Sequence, residues 1–203
     1  MSFNNYKSLQ AVLKEFELNY VEEDYITQIE YQVNEYFKSE LELVLQEGIY
    51  DNSEAAICEA LIYPILKEIW KSYKDKLSLW SHQPLNYDEQ LTGVPDYLVC
   101  QKSPLGKIIF DQPYCVVVEA KKDNFTEGWG QCVAEMIAAQ KLNENKEQSI
   151  FGIVSNGKTW EFCKLKIKVF TKYIKIYTIQ NLELLLATVN DVFHQCYLQI
   201  DNK

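Results

Sequence analysis

The spacing of apolar residues changes character once along this chain, at the segment SHQPLNYDEQLTG (residues 81–93), and that change restricts the folds open to it. Before it, apolar residues recur at helical spacing; after it, they come in short runs rich in β-branched and aromatic side chains. Upstream, Leu9, Leu13 and Phe16 mark one helix, and Ile29, Val33, Phe37, Leu41 and Val44 share a stripe of a longer one over about 26–46, closed by Gly48. A further helix opens at Ser53, a good N-cap, with Glu54 at the positive end of the helix dipole; Pro64 inside its pattern predicts a kink near Leu61. Downstream, strands are expected over 97–101, 114–120, 149–155, 159–164 and 168–179, with a helix over about 128–142 and a last one from Asn181 to Cys196. Asn156-Gly157 signals a type I′ hairpin between antiparallel strands. The order α-α-β-β-α-β-β-β-α predicts an α/β sandwich around a mixed sheet.

A chain of 203 residues, 47% of them hydrophobic, can bury one core and is short for two, so a single domain is expected. Its parts are a helical N-terminal extension (1–50), a core (53–180) and a C-terminal helix (181–200). No window approaches the roughly 18 consecutive apolar residues of a membrane helix, and Met1–Asn5 lacks the charged start of a secretion signal. A cytoplasmic protein is the expectation. Cys58, Cys100, Cys115, Cys132, Cys163 and Cys196 form no CxxC pair and read as reduced core residues. His82 and His194 stand far apart, neither at ligand spacing from a cysteine or carboxylate, so no zinc site is expected.

The net charge of −9 argues against nonspecific coating of nucleic acid, where lysine and arginine supply most of the affinity. One local basic stretch remains: Lys164, Lys166, Lys168, Lys172 and Lys175. It reads equally as a phosphate-binding patch or as an edge strand guarded by lysines.

Two acidic residues adjoin apolar strand runs, where solvating a carboxylate is hardest: Asp96 before Tyr97-Leu98-Val99, and Glu119 after Val116-Val117-Val118. Alternation across a strand places Glu119 and Lys121 on one face, with Ala120 and Lys122 on the other. If the two strands are neighbours, Asp96 approaches Glu119, and two such carboxylates repel unless a cation intervenes. Hard oxygen donors of this kind suit Mg²⁺ or Mn²⁺. On the helix after Ser53, at about 100° per residue, Ile57, Cys58, Leu61 and Ile65 all fall within about 60° of Glu54, whereas Glu59 lies near 140°. Glu54 is therefore the expected third acid and Glu59 a surface residue. Gln131 falls near the start of the helix after Lys121, within reach of the same place.

These residues resemble the PD-(D/E)XK nuclease superfamily, the restriction-endonuclease-like fold with an α-β-β-β-α-β core. The first half of the motif is Pro95-Asp96 and the second Glu119-Ala120-Lys121. The likeness is nearest to the branch found in type I restriction subunits and small bacterial proteins: a helix like SEAAICEALIYPIL, a GVPDYLV strand, a VVVEAKK strand, and a glutamine, Gln131, in the next helix. It runs from about Ser53 to Phe162. It implies a nuclease whose Mg²⁺ or Mn²⁺ is held by Asp96, Glu119, the Ala120 backbone carbonyl and Glu54, with Lys121 orienting or activating the attacking water. DNA is the implied partner, and a homodimer one expected assembly. A second reading stays open: a binding or regulatory module that keeps the fold without cutting.

Overall fold

The computed structural model describes residues 2–143, 145 and 147–201. At its centre runs β6 (Phe110–Ala120), with β5 (Tyr97–Lys102) antiparallel on one side and β7 (Ile150–Ser155) parallel on the other. Parallel neighbours need a crossover, and α5 (Phe125–Leu142) is that connection. Beyond β7 the sheet continues antiparallel through β8 (Thr159–Lys166) and β9 (Val169–Tyr173), then ends on β1 (Asn19–Glu23), parallel to β9. Beyond β5 it ends on β2 (Leu77–Ser81). A two-residue β10 (Tyr177–Thr178) pairs with β8, and β3 (Leu85–Asn86) and β4 (Thr92–Gly93) make a small separate ladder. The chain is thus a mixed α/β protein built on one large mixed sheet.

Helices cover both faces of that sheet. Val116, Val118 and Ala120 of β6 face a layer containing Leu61 and Ile65, together with Leu186 and Val189 of α6 (Leu182–Asp201). Val117 faces the other layer, with Cys132 and Met136 of α5 and Val12 of α1 (Leu9–Glu15). A strand buried on both sides explains why Cys115–Val118 shows no alternation of apolar and polar residues. Glu119, two residues after Val117, belongs by alternation to the α5 side. All six cysteines are free and buried, and no helix among the described residues is long and apolar enough to cross a membrane.

Several sequence expectations are corrected. The helix over 26–46 begins later, as α2 (Glu35–Glu47), because Asn34 caps it: its Oδ1 accepts from the Tyr36 N–H at 2.8 Å. Ile26, Tyr31 and Val33 reach the core from irregular chain instead. The N-terminal fifty residues are not all helical either, since β1 adds to the sheet; pairing with β9 overrides its weak local signal. Pro64 produces a widened turn rather than a simple kink. Between α3 (Glu54–Ile57) and α4 (Tyr63–Trp70) runs a π turn, Cys58–Ile62, in which the Tyr63 N–H reaches back five residues to the Cys58 carbonyl. Pro64 then falls in the first turn of α4, where a missing N–H costs little. At Asn156-Gly157 only Gly157 is left-handed (φ 80°), so the connection is not type I′. Asn156 Oδ1 instead accepts from the N–H groups of Lys158 and Thr159, building a three-residue turn.

The lysine stretch is corrected too. The run over 168–179 is two strands, and β9 lies inside the sheet, so no lysine-guarded edge exists there. Each lysine meets an acid: Lys164 with Glu23 (3.8 Å), Lys166 with Glu147 (3.8 Å), Lys168 with Glu17 (3.3 Å), Lys172 with Glu161 (2.8 Å) and Lys175 with Asp24 (2.7 Å).

Candidate active site

The β5–β6 register pairs Tyr97 with Val118, and its continuation by one residue sets Asp96 opposite Glu119. Asp96 is fixed by the backbone: its Oδ2 accepts from the Ala120 N–H at 2.7 Å. Past the end of β6 the pairing with β7 persists, the Lys121 N–H donating to the Ser155 carbonyl at 2.9 Å. The Lys121 side chain turns to the α5 side, where Nζ stands 2.9 Å from Glu119 Oε1 and 3.7 Å from Glu54 Oε2. Gly128 of α5 permits this course, since a Cβ there would come within 2.8 Å of Lys121 Cγ.

Glu54 opens α3 behind the Ser53 cap, whose hydroxyl accepts from the Ala56 N–H at 3.1 Å. It reaches the cleft through Lys121 but remains half-exposed, so the core-facing placement drawn from the helical wheel is corrected: in a first turn the side chain can swing outward. Glu59 lines a different groove, between α2 and α4. Gln131 falls in the second turn of α5, because that helix starts at Phe125 with Asn124 as its cap. Its Nε2 donates to Asn4 Oδ1, while its Oε1 is buried without a partner. Lys122 turns away, beside Lys158 and Asn156 in a neighbouring cleft.

Three residues that sequence reasoning passed over also meet here. Glu135, one turn beyond Gln131, is 2% exposed and its Oε2 has no partner. A carboxylate inside the apolar stretch CVAEMIAA was the available signal. His82 Nε2 stands 3.6 Å from Asp96 Oδ1, a neighbour that spacing along the sequence did not indicate. The reason is the unforeseen strand β2, whose pairing with β5 brings the His82 N–H onto the Asp96 carbonyl at 2.9 Å. Asn4 arrives with the N-terminal segment, which is held by close backbone approaches. A Cβ on Gly93 would come within 2.6 Å of the Phe3 ring, and one on Gly130 would collide with the Tyr6 carbonyl. Glu54, Asp96, Glu119, Lys121, Gln131 and Glu135 line one cavity of about 660 Å³, walled on one side by Ser2–Asn4.

Burial governs the charges in this cavity. It pushes Glu119 up to about 7, with the neighbouring Asp96 adding to the rise and Lys121 opposing it. Asp96 is raised by burial, against the pull of the Ala120 N–H, Lys121 and His82. Glu135 is held well above the usual carboxylate range by burial, then by Glu119 and Asp96. Burial works to lower Lys121, but Glu119, Glu54 and Asp96 outweigh it and keep the ammonium firmly charged.

No family model matches the chain, and no curated protein does. Among solved structures, the type IIG restriction endonuclease BpuSI superposes with a TM-score of 0.44 and 14% identity. That alignment covers 76% of this chain, which spans only 17% of the length of the enzyme. A likeness at that level leaves the reading of the cleft to its own geometry.

Among the described residues, no three His, Cys, Asp or Glu side chains are already grouped so as to hold a metal ion. Lys121 draws Glu119 and Glu54 to its own ammonium instead. In kind, the donors still suit a hard divalent cation: buried carboxylates that raise one another's pKa, and two buried oxygens, Gln131 Oε1 and Glu135 Oε2, without partners.

Proposed function

We propose that this protein is a metal-dependent nuclease that hydrolyses phosphodiester bonds of DNA in the cleft of Asp96, Glu119 and Lys121, using Mg²⁺ or Mn²⁺. The observation that carries the reading is the meeting, at the ends of two paired strands, of two desolvated carboxylates with one ammonium 2.9 Å from Glu119. Buried like charges cost stability unless a ligand compensates them, and they concentrate where chemistry is done. Asp96 and Glu119, with the Ala120 carbonyl and Glu54, are the groups to hold the cation. Once bound, that cation would polarise the scissile phosphate and acidify a nearby water. Lys121 supplies what carboxylates cannot: a fixed positive charge to orient the incoming water and to stabilise negative charge growing on the phosphate. Gln131, anchored through Asn4, turns its free amide oxygen to the same space.

The test is cleavage of single-stranded, double-stranded and branched DNA with Mg²⁺ or Mn²⁺, beside calorimetric titration of Mn²⁺. Binding is expected in the wild type and lost in Asp96→Asn and Glu119→Gln. Equal binding in all three proteins would remove the site.

One observation favours a second reading, a nucleic-acid-binding or regulatory module that does not cut. Lys121 already partly compensates the carboxylates without a metal. If the wild type cuts none of the three DNA forms with either metal, this reading replaces the first.

A further inference from the structure

Two buried oxygens in the cleft meet no N–H or hydroxyl donor: Gln131 Oε1 and Glu135 Oε2, on residues only 3% and 2% exposed, the neighbour of Glu135 being another carboxyl, Glu119. Four residues apart on α5, they lie on the same face of the helix, one turn above the other. Gln131 Oε1 can only accept, and the Glu135 carboxyl, which lies beside that of Glu119, keeps an accepting oxygen whether or not it carries a proton. Gln131 Nε2 donates to Asn4 Oδ1, which leaves Oε1 as the free end of the Gln131 amide. Buried acceptors are rarely left without a donor, so their common direction points to something that presents donors inside the cavity. Lys121 is not that donor, since its nearest oxygens belong to Glu119 and Glu54.

We propose that Glu135 and Gln131 form an outer-sphere seat on α5 for a hydrated divalent cation, accepting hydrogen bonds from the water shell of an ion whose direct contacts are with Asp96 and Glu119. A small divalent cation such as Mg²⁺ dehydrates reluctantly and keeps several waters, so in a roomy site it presents O–H donors outward. The cavity, at about 660 Å³, has room for such an ion with its shell. Glu135 and Gln131 are positioning residues for the ion and touch no reacting atom. This inference rests on the proposed metal-dependent reading of the cleft and extends it to α5.

The experiment is titration of the intact protein with Mn²⁺ by calorimetry, with the melting temperature of each variant measured in EDTA. Asp96→Asn tests the direct contact; Glu135→Gln, which keeps the shape, and Gln131→Met test the seat. Outer-shell partners of a bound metal are worth roughly 10–100-fold in affinity. Glu135→Gln is therefore expected to weaken Mn²⁺ by at least about tenfold, and Gln131→Met by less, while the metal-free melting temperature of Glu135→Gln does not fall. Hexamminecobalt(III), which offers N–H donors and exchanges none of its ligands, should bind the wild type and lose affinity in Glu135→Gln. Mn²⁺ binding that depends on Asp96 but stays within twofold of wild type in both α5 variants overturns the seat and leaves the nuclease reading standing. Should Glu135→Gln prove unstable, the Gln131→Met result alone decides by the same twofold limit. Failure of the wild type to bind Mn²⁺ overturns both.

Discussion

Two charged regions of this molecule are built on opposite terms. Across β8, β9 and the turn that follows, five lysines meet five acids one to one at exposed or partly exposed positions, the Lys172–Glu161 pair being the most covered. In the cleft at the end of β5 and β6, the carboxyl groups of Glu54, Asp96, Glu119 and Glu135 all interact with the Lys121 ammonium, and two of the four are almost wholly buried. Matched pairs in water contribute little beyond solubility. Unmatched acids out of water raise the free energy of the fold, and such an arrangement persists where a ligand or a reaction uses it.

The largest expected effect would break this comparison at its centre. Lys121→Ala should abolish DNA cleavage while leaving Mn²⁺ affinity unchanged or somewhat higher, because an ammonium competes with a cation for Glu119. Cleavage at wild-type rates by this variant would show that the Lys121 ammonium serves the fold and not the chemistry.

A second test uses pH. Glu119 has a folded pKa of about 7 against an ordinary value of 4.5, so the folded state holds its proton more tightly than the unfolded chain does. Its contribution is therefore most favourable below pH 4.5 and is lost as pH rises through 7. In EDTA, the share of stability that Glu119 contributes should fall across that interval by at most about 3.4 kcal/mol, and Glu119→Gln should flatten the fall by that share. Urea titrations at several pH values measure it. An identical slope in the variant would mean that the acid is not desolvated as described.

The wall of the cleft provides a smaller effect. A methyl at Gly130 meets the Tyr6 carbonyl, so Gly130→Ala should cost about 1–3 kcal/mol and loosen Phe3–Tyr6 from α5, read by faster amide exchange in that segment. Unchanged exchange would show that the segment does not close the site.

The smallest effect belongs to the matched region. Lys168→Ala, whose partner Glu17 is itself exposed, should leave the melting temperature within about 2 °C and leave DNA binding as it was. A clear loss of DNA affinity would show that these lysines give up their acids to phosphate, and the contrast between the regions would fail.

Much of the frame was legible because it rests on local chemistry. Ser53 caps its helix through a hydroxyl, the β-branched run Val116–Val118 makes a strand, and a chain this rich in alternating elements builds a mixed sheet. The approach of Asp96 to Glu119 was legible in the same way, since it follows once the two strands are neighbours. What escaped depends on partners distant in sequence. β1 is a strand because β9 offers it a ladder about 150 residues away, and β2 carries no strong signal of its own until it pairs with β5. His82 was lost with β2, and Asn4 with the docking of Phe3 against Gly93. Glu135 was missed for a different reason: its place in an apolar stretch was visible, but nothing local said that Glu119 would face it.

The sequence by itself determined which chemical groups the chain carries and on which side of its own strand or helix each one emerges, because alternation and helical pitch are fixed by backbone geometry within a few residues. Only the tertiary structure decided which of those faces meet. That α5 lies over the Glu119 side of β6, that Lys164 of β8 finds Glu23 on β1 and Lys168 finds Glu17 just before it, and that Lys121 is left among four carboxylates all follow from the packing of elements far apart in the chain. Charge compensation is a property of such neighbours, so which charges were matched could not be read before the fold was known.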